Sequence, residues 1–180
     1  GITEFGQDSN GSGLFHKIDN GKKYFLFADI PDSVTKLSNN CFRNCIALIS
    51  VGISENSKLE DFGSASFCGC TSLRSIYIPK GIKTLKTDYV SNEQYWDHGL
   101  FKNCQSLGSV TFAEDSTLEV IEKCAFYMCY SLKEIIIPSK VESISITAFQ
   151  NCYLLSKVIL PDGLKIIYSS KIPESQWFFL

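Results

Sequence analysis

The stretch Ala125–Pro138, "AFYMCYSLKEIIIP", sets Phe126, Cys129, Leu132 and Ile135 three residues apart, places Ile137 two further on, and stops at Pro138. A period of three that tightens to two fits neither an amphipathic helix nor an alternating strand throughout. The pattern recurs as Phe42-Cys45-Leu48-Val51-Ile53, Phe67-Cys70-Leu73-Ile76-Ile78, Phe101-Cys104-Leu107-Val110-Phe112 and Phe149-Cys152-Leu155-Val158-Leu160. Its internal spacing never changes. An apolar pair three residues apart precedes each copy (Val34/Leu37, Leu59/Phe62, Ile82/Leu85, Leu118/Ile121, Val141/Ile144), and Leu164/Ile167 follows the last.

Successive phenylalanines lie 25, 34, 25 and 23 residues apart. The links between units are either short and begin with proline ("PKGI", "PSKV", "PDGL") or are polar and two residues longer, "SENSKL" and "AEDSTL". The spacing of 34 is a 23-residue unit carrying 11 extra residues between Leu85 and Phe101, including "YVSNEQYWDHG". A repeat of this length that ends Leu-x-x-Val-x-Ile is in the range of leucine-rich repeats. In "SVTFA" or "EIIIP", apolar residues two apart point into a core and the residue between them points out. Proline, lacking an N–H, then ends the ladder. The reading is an α/β solenoid. Stacked units line a concave face with a parallel β-sheet, and the Phe-x-x-Cys-x-x-Leu portions are expected to form short helical or 3₁₀ arcs on the convex side.

The consensus Val-x-x-Ile-x-x-x-Ala-Phe-x-x-Cys-x-x-Leu-x-x-Val-x-Ile-Pro resembles that of the BspA-like, or Treponema-type, leucine-rich repeats. "VESISITAFQNCYLLSKVILP" matches it nearly residue for residue and "LEVIEKCAFYMCYSLKEIIIP" almost as closely. The alanine slot departs from the pattern at Cys41, Ser66 and Leu100. The resemblance implies a surface or secreted protein, of the kind found in mucosal bacteria and protozoan parasites, with adhesion among the implied roles. It therefore implies a non-enzymatic binding module, with protein as the first expected partner, glycan as the alternative, and an extracellular or cell-surface location. The other reading is an intracellular or structural scaffold for protein assembly.

Composition excludes several classes. A net charge of -2 and a pI near 5.7 over 180 residues leave no basic footprint for nucleic acid or an anionic membrane. No apolar run approaches the roughly 20 residues of a membrane span. There is no G-x-S-x-G elbow, H-E-x-x-H or phosphate-binding glycine loop, so no catalytic residue, metal or cofactor is expected. An acid–base pair of Asp97 and His98 is the enzymatic alternative, set against an exposed turn. His16 lies in the leading segment, and Asn10-Gly11-Ser12 fits a glycosylation acceptor. Among the 8 cysteines, Cys45, Cys70, Cys104, Cys129 and Cys152 fill one slot per turn and should stack as buried thiols. Disulfides or a zinc site at Cys68-x-Cys70 are the alternatives. Cys41, Cys68 and Cys124, outside that ladder, are expected to be the reactive thiols.

Strand alternation assigns the outward columns. One reads Ser50, Ser75, Ser109, Glu134, Lys157; its neighbour reads Gly52, Tyr77, Thr111, Ile136, Ile159; an earlier strand adds Phe27 and Asp29. The candidate ligand-binding residues are Tyr77, Thr111, Glu134, Ile136, Lys157 and Ile159. Exposed Ile136 and Ile159 would mark an interaction surface, or simply reflect the strand preference of β-branched residues. The insertion 86–99 is a second candidate through Tyr89, Tyr95, Trp96 and His98, on the convex or lateral side, its aromatics either functional or sealing the loop. Residues 1–27 are expected to cap the array, with Leu14, Phe15, Tyr24 and Phe25 over the first turn. Residues 28–167 hold five to six turns. Residues 168–180, with Ile172 and Phe178 in register, read as a degenerate last turn or cap that buries Trp177, Phe178 or Phe179, unless the chain is a piece of a longer array.

Overall fold

In a computed structural model, which describes residues 3–5, 26–87 and 99–168, the repeats are built from short strands and one arc each, with a single bridge at Asp61 in place of one strand. The first sheet is parallel and runs β2 (Phe27–Asp29), β4 (Ser50–Gly52), β5 (Ser75–Ile78), β7 (Ser109–Phe112). Next to β7 lies β9 (Glu134–Ile136), which pairs in parallel with β11 (Lys157–Ile159). Where neighbouring strands pair, equivalent residues meet: Ser50 with Ser75 and, at the central positions, Ala28 with Val51, Ile76 with Val110, Ile135 with Val158. These central residues point into the core, so their neighbours form the outward columns read from the sequence.

A second parallel sheet was not anticipated. The apolar pairs that precede each arc end in strands β3 (Lys36–Leu37), β6 (Thr84–Leu85), β8 (Val120–Ile121), β10 (Ser143–Ser145) and β12 (Ile166–Tyr168). β6, β8, β10 and β12 form one sheet, and Lys36 bridges Asp61 in the same parallel sense. β1 (Glu4–Phe5) pairs in parallel with β3 as a separate two-stranded ladder, so Glu4 and Phe5, within the expected N-terminal cap, extend the strand row on this side. The strands are only two or three residues long, too short for an alternating pattern to show. The cap residues Leu14, Phe15, Tyr24 and Phe25, and Ile172, Trp177, Phe178 and Phe179 at the other end, lie outside the described residues.

The expected helical arcs are corrected: the described residues contain no helix. Each arc is two successive turns. The Cys104 N–H donates to Phe101 O at 3.1 Å, and the Leu107 N–H to Cys104 O at 3.0 Å, with the same pair of bonds in every copy. The residue before the cysteine blocks helix formation. Asn44, Asn103, Met128 and Asn151 have φ of 58°, 61°, 62° and 63°, and Gly69 has 76°. In this left-handed conformation the N–H turns towards the next rung. The Asn44 N–H reaches Cys68 O, that of Gly69 reaches Lys102 O, and that of Asn103 reaches Tyr127 O, at 2.7–2.8 Å. Hydrogen bonds that a helix would keep local thus join neighbouring repeats.

The interior is columnar. Phe42, Phe67, Phe101, Phe126 and Phe149 stack with ring centroids 5.2–5.4 Å apart and planes within 12° of parallel. Phe62 meets Phe67 and Phe101 edge-on. The cysteine slot is also explained. Cys70 Sγ donates to Phe42 O, Cys104 to Phe67 O and Cys152 to Phe126 O, each at 3.1 Å, and Cys129 to Phe101 O at 3.3 Å. The carbonyls of Phe42, Phe67, Phe101 and Phe126 therefore each accept from their own turn and from the thiol one rung on. A small apolar side chain with one donor fits this place, and all the cysteines are free.

The longer links have their own logic. Ser57 and Ser116 occupy equivalent positions, are buried, and accept the N–H of Leu59 and Leu118 at 3.3 Å. The proline links make a comparable turn, with the Ile82 N–H on Pro79 O and the Val141 N–H on Pro138 O. Either device returns the chain to the second sheet.

Candidate functional site

The first sheet has one face in the core and one face that no other described element covers. Its outward columns are in register: Phe27 beside Ser50, Ser75 beside Ser109, Tyr77 beside Thr111, Glu134 beside Lys157, Ile136 beside Ile159. The face is not uniform. Its middle is small and polar around a single aromatic, with Ser50, Gly52, Ser75, Gly108, Ser109 and Thr111 surrounding Tyr77. Its ends are apolar, with Phe27 66% exposed on β2, and Ile136 60% and Ile159 42% exposed on β9 and β11. A Cβ on Gly52 would overlap the Asp29 carboxylate, so glycine here lets Asp29 lie across the floor.

Each candidate residue has a definite setting. Tyr77 is half-buried on β5; burial, then Glu55 and Asp115, push its phenol above the ordinary value, so it stays a neutral donor at pH 7. Thr111 is exposed, with its hydroxyl towards Ile76 O at 3.5 Å. Glu134 and Lys157 face each other across the strands at 3.4 Å with both side chains more than half exposed, a pair worth under about 1 kcal/mol. Ile136 and Ile159 make no contribution to the core that would require them to be apolar. Leu26, 50% exposed beside Phe27, belongs to the same apolar end. It precedes β2, and strand alternation alone did not reach it.

The insertion candidates Tyr89, Tyr95, Trp96 and His98 lie outside the described residues, as do Asp97 and His16. The base of the loop is described. Thr87 and Gly99 form an antiparallel bridge. The Thr87 N–H donates to Glu122 Oε2 at 2.7 Å, and its hydroxyl donates to Lys123 O. A Cβ on Gly99 would overlap the carbonyl of Cys124. The two ends of the loop therefore stand at the corner between the second sheet and the arcs.

The expectation that Cys41, Cys68 and Cys124 are reactive is overturned. All three are buried, at 0%, 7% and 2% exposure. Cys41 fills the alanine slot beneath Phe42, and Cys124 sits in the corner under Gly99, its Sγ 3.9 Å from Thr147 Oγ1. Burial pushes the thiol of Cys124 up, against the opposing pull of Thr147 and two lysines. It also pushes up Cys70, Cys104 and Cys129, and takes Cys152 to about 11. At these five positions the thiolate, the nucleophilic and metal-binding form, is disfavoured. Among the described residues no group of three or more His, Cys, Asp or Glu could hold a metal. An open groove of about 450 Å³ between the links, lined by Glu55, Lys58, Glu60 and Lys80 among others, contains no histidine or cysteine.

Strand register, a turn-built arc and two parallel sheets define a leucine-rich-repeat solenoid, a fold whose open sheet serves as an interaction surface. The chain matches the BspA type leucine rich repeat region, in six copies over residues 20–95 and 94–175, and belongs to that family. Among solved structures it is similar to a leucine rich cell surface protein of Faecalibacterium prausnitzii, at 26% identity and a TM-score of 0.57, covering 87% of this chain and 42% of that one. It shares its fold with the leucine-rich repeat protein of Treponema pallidum (19% identity, TM-score 0.57, 84% of this chain and 73% of that one). The pneumococcal vaccine antigen PcpA has it too (21% identity, TM-score 0.60, 87% of this chain and 35% of that one). The chain thus spans under half of the Faecalibacterium and pneumococcal proteins. No curated protein sequence matches it. Among the described residues no helix is long and apolar enough to cross a membrane.

Proposed function

We propose that the chain is a non-enzymatic, adhesin-type binding module of a cell-surface or secreted protein, and that its ligand is a protein held on the concave sheet. One observation carries the reading. Phe27, Ile136 and Ile159 are exposed on a sheet face that no other described element covers. Strand preference would put β-branched and aromatic residues there, but it gives no reason for exposed Leu26 beside Phe27 or for apolar residues gathered at both ends of one open face. Tyr77, an apolar body with a polar tip at mid-face, has the character of an interface anchor. The cell-surface assignment is supported by family membership and by the similarity to the Faecalibacterium cell surface protein.

The test is binding of the soluble chain to immobilised host extracellular proteins and to whole cells. The comparison is a triple variant, Tyr77→Ala, Ile136→Ser, Ile159→Ser, whose fold is checked by circular dichroism. The expected result is saturable binding that the variant loses. Binding unchanged in the folded variant would remove the concave face from the account.

A further inference from the structure

We propose that the concave face receives an extended, acidic protein segment held by an apolar side chain at each of its two ends. This rests on the reading of the face as a protein-binding surface and says what kind of protein surface fits it. Phe27 on β2 and Ile136 on β9 are four strand positions apart, β4, β5 and β7 lying between them. At about 4.8 Å per strand the two apolar ends are roughly 19 Å apart. Both side chains are more than half exposed.

The floor between them decides the conformation of the occupant. Ser75 and Ser109 are exposed hydroxyls in register on neighbouring strands, and small side chains let a main chain approach closely. A hydroxyl both donates and accepts, so it can serve a backbone whose own N–H and C=O groups are unpaired. A helix has already satisfied those groups internally and gains nothing from such a floor. An extended chain, at about 3.3 Å per residue, covers the distance between the ends with about six residues.

Charge decides the composition. The column just before the strands reads Leu26, Ile49, Arg74, Gly108, Lys133, Ser156, with two basic residues and no acid. Arg74 and Lys133 are exposed, and neither is ion-paired with a described residue. Of the acids on or beside the face, Glu134 is engaged by Lys157 and Asp29 lies at the far end over Gly52, while Glu55 and Asp115 act on Tyr77 from beyond the other end of the strands, Asp115 held there by Lys80. Carboxylates on the occupant, between its two anchors, complement this edge.

The test is selection of a displayed library of random twelve-residue peptides on the intact chain, with counter-selection on folded Phe27→Ser/Ile136→Ser protein. The expected winners share two apolar residues five to seven positions apart with Asp or Glu between them. As synthetic peptides they should bind at least about tenfold more weakly to Phe27→Ser, to Ile136→Ser and to Arg74→Glu taken singly. Winners with helical spacing, winners rich in Lys or Arg, or no enrichment over the double variant would each overturn the proposal. If peptides fail while host-protein binding still depends on Tyr77, Ile136 and Ile159, the face binds a folded surface and only this inference falls. If both fail, the binding reading itself falls.

Discussion

Along the same repeats, the interior and the concave face follow opposite rules. Inside, the phenylalanine, cysteine and leucine slots are filled identically in all five arcs. Each ring sits on the next, and from Cys70 onward each ladder thiol reaches the carbonyl of the rung before it. Outside, one column passes from Phe27 through Ser50, Ser75 and Ser109 to Glu134 and Lys157. A solenoid folds as a sum of nearest-neighbour contacts, so any departure inside is felt by two interfaces at once. The outward columns are under no such constraint. The difference teaches where to look for function: in the columns that change.

That contrast can be broken by mutation, and the largest effect should come from the stack. Phe126→Ala removes a ring held between Phe101 and Phe149 and should cost about 3–5 kcal/mol in urea unfolding. A loss under about 1 kcal/mol would mean the column does not carry the fold. The thiols supply the next effect. A thiol whose folded pKa lies above its unfolded value contributes stability that is complete below about pH 9.0 and is lost as pH rises through the folded pKa, about 11 for Cys152. Stability should therefore be level from pH 6 to 8 and fall steeply above pH 9, by an order of 2–3 kcal/mol from Cys152 alone. A flat profile to pH 11 would contradict the buried ladder.

A smaller effect, of opposite sign, is expected in the arcs. Met128 holds φ 62° where three other copies use asparagine. Met128→Asn should stabilise by about 1 kcal/mol, read as a higher urea midpoint with unchanged slope. The smallest effect belongs to the concave face: Ile136→Ser should change stability by less than about 0.5 kcal/mol. A loss of 2 kcal/mol there would show that Ile136 is structural after all.

Much of this fold was legible because the repeat is long-range and strict. The strand register of Ser75 with Ser109, or Glu134 with Lys157, follows directly from aligning copies. The second sheet was not legible, since a pair such as Lys36–Leu37 is too short to alternate. The arcs read as helical because a spacing of three is shared by 3₁₀ helices and by consecutive turns. The signal that separates them was present in Asn44, Gly69, Asn103 and Asn151, residues tolerant of positive φ just before four of the five ladder cysteines. The off-ladder thiols were misjudged because burial depends on what lies above a residue. Cys124 is covered by Gly99, a residue on the far side of the insertion whose bridge to Thr87 no local pattern announces. At the concave face the sequence could name the columns but not their exposure, and Leu26 escaped because it stands just outside a strand.

The most direct test of the central claim sets the two candidate surfaces side by side in one cell-binding assay. One variant is Tyr77→Ala/Ile136→Ser/Ile159→Ser on the sheet, and the other is Tyr89→Ser/Tyr95→Ser/Trp96→Ser in the insertion. The account predicts that the folded sheet variant loses binding and that the insertion variant keeps it. Binding kept by the sheet variant and lost by the insertion variant would contradict it and move the function to the loop.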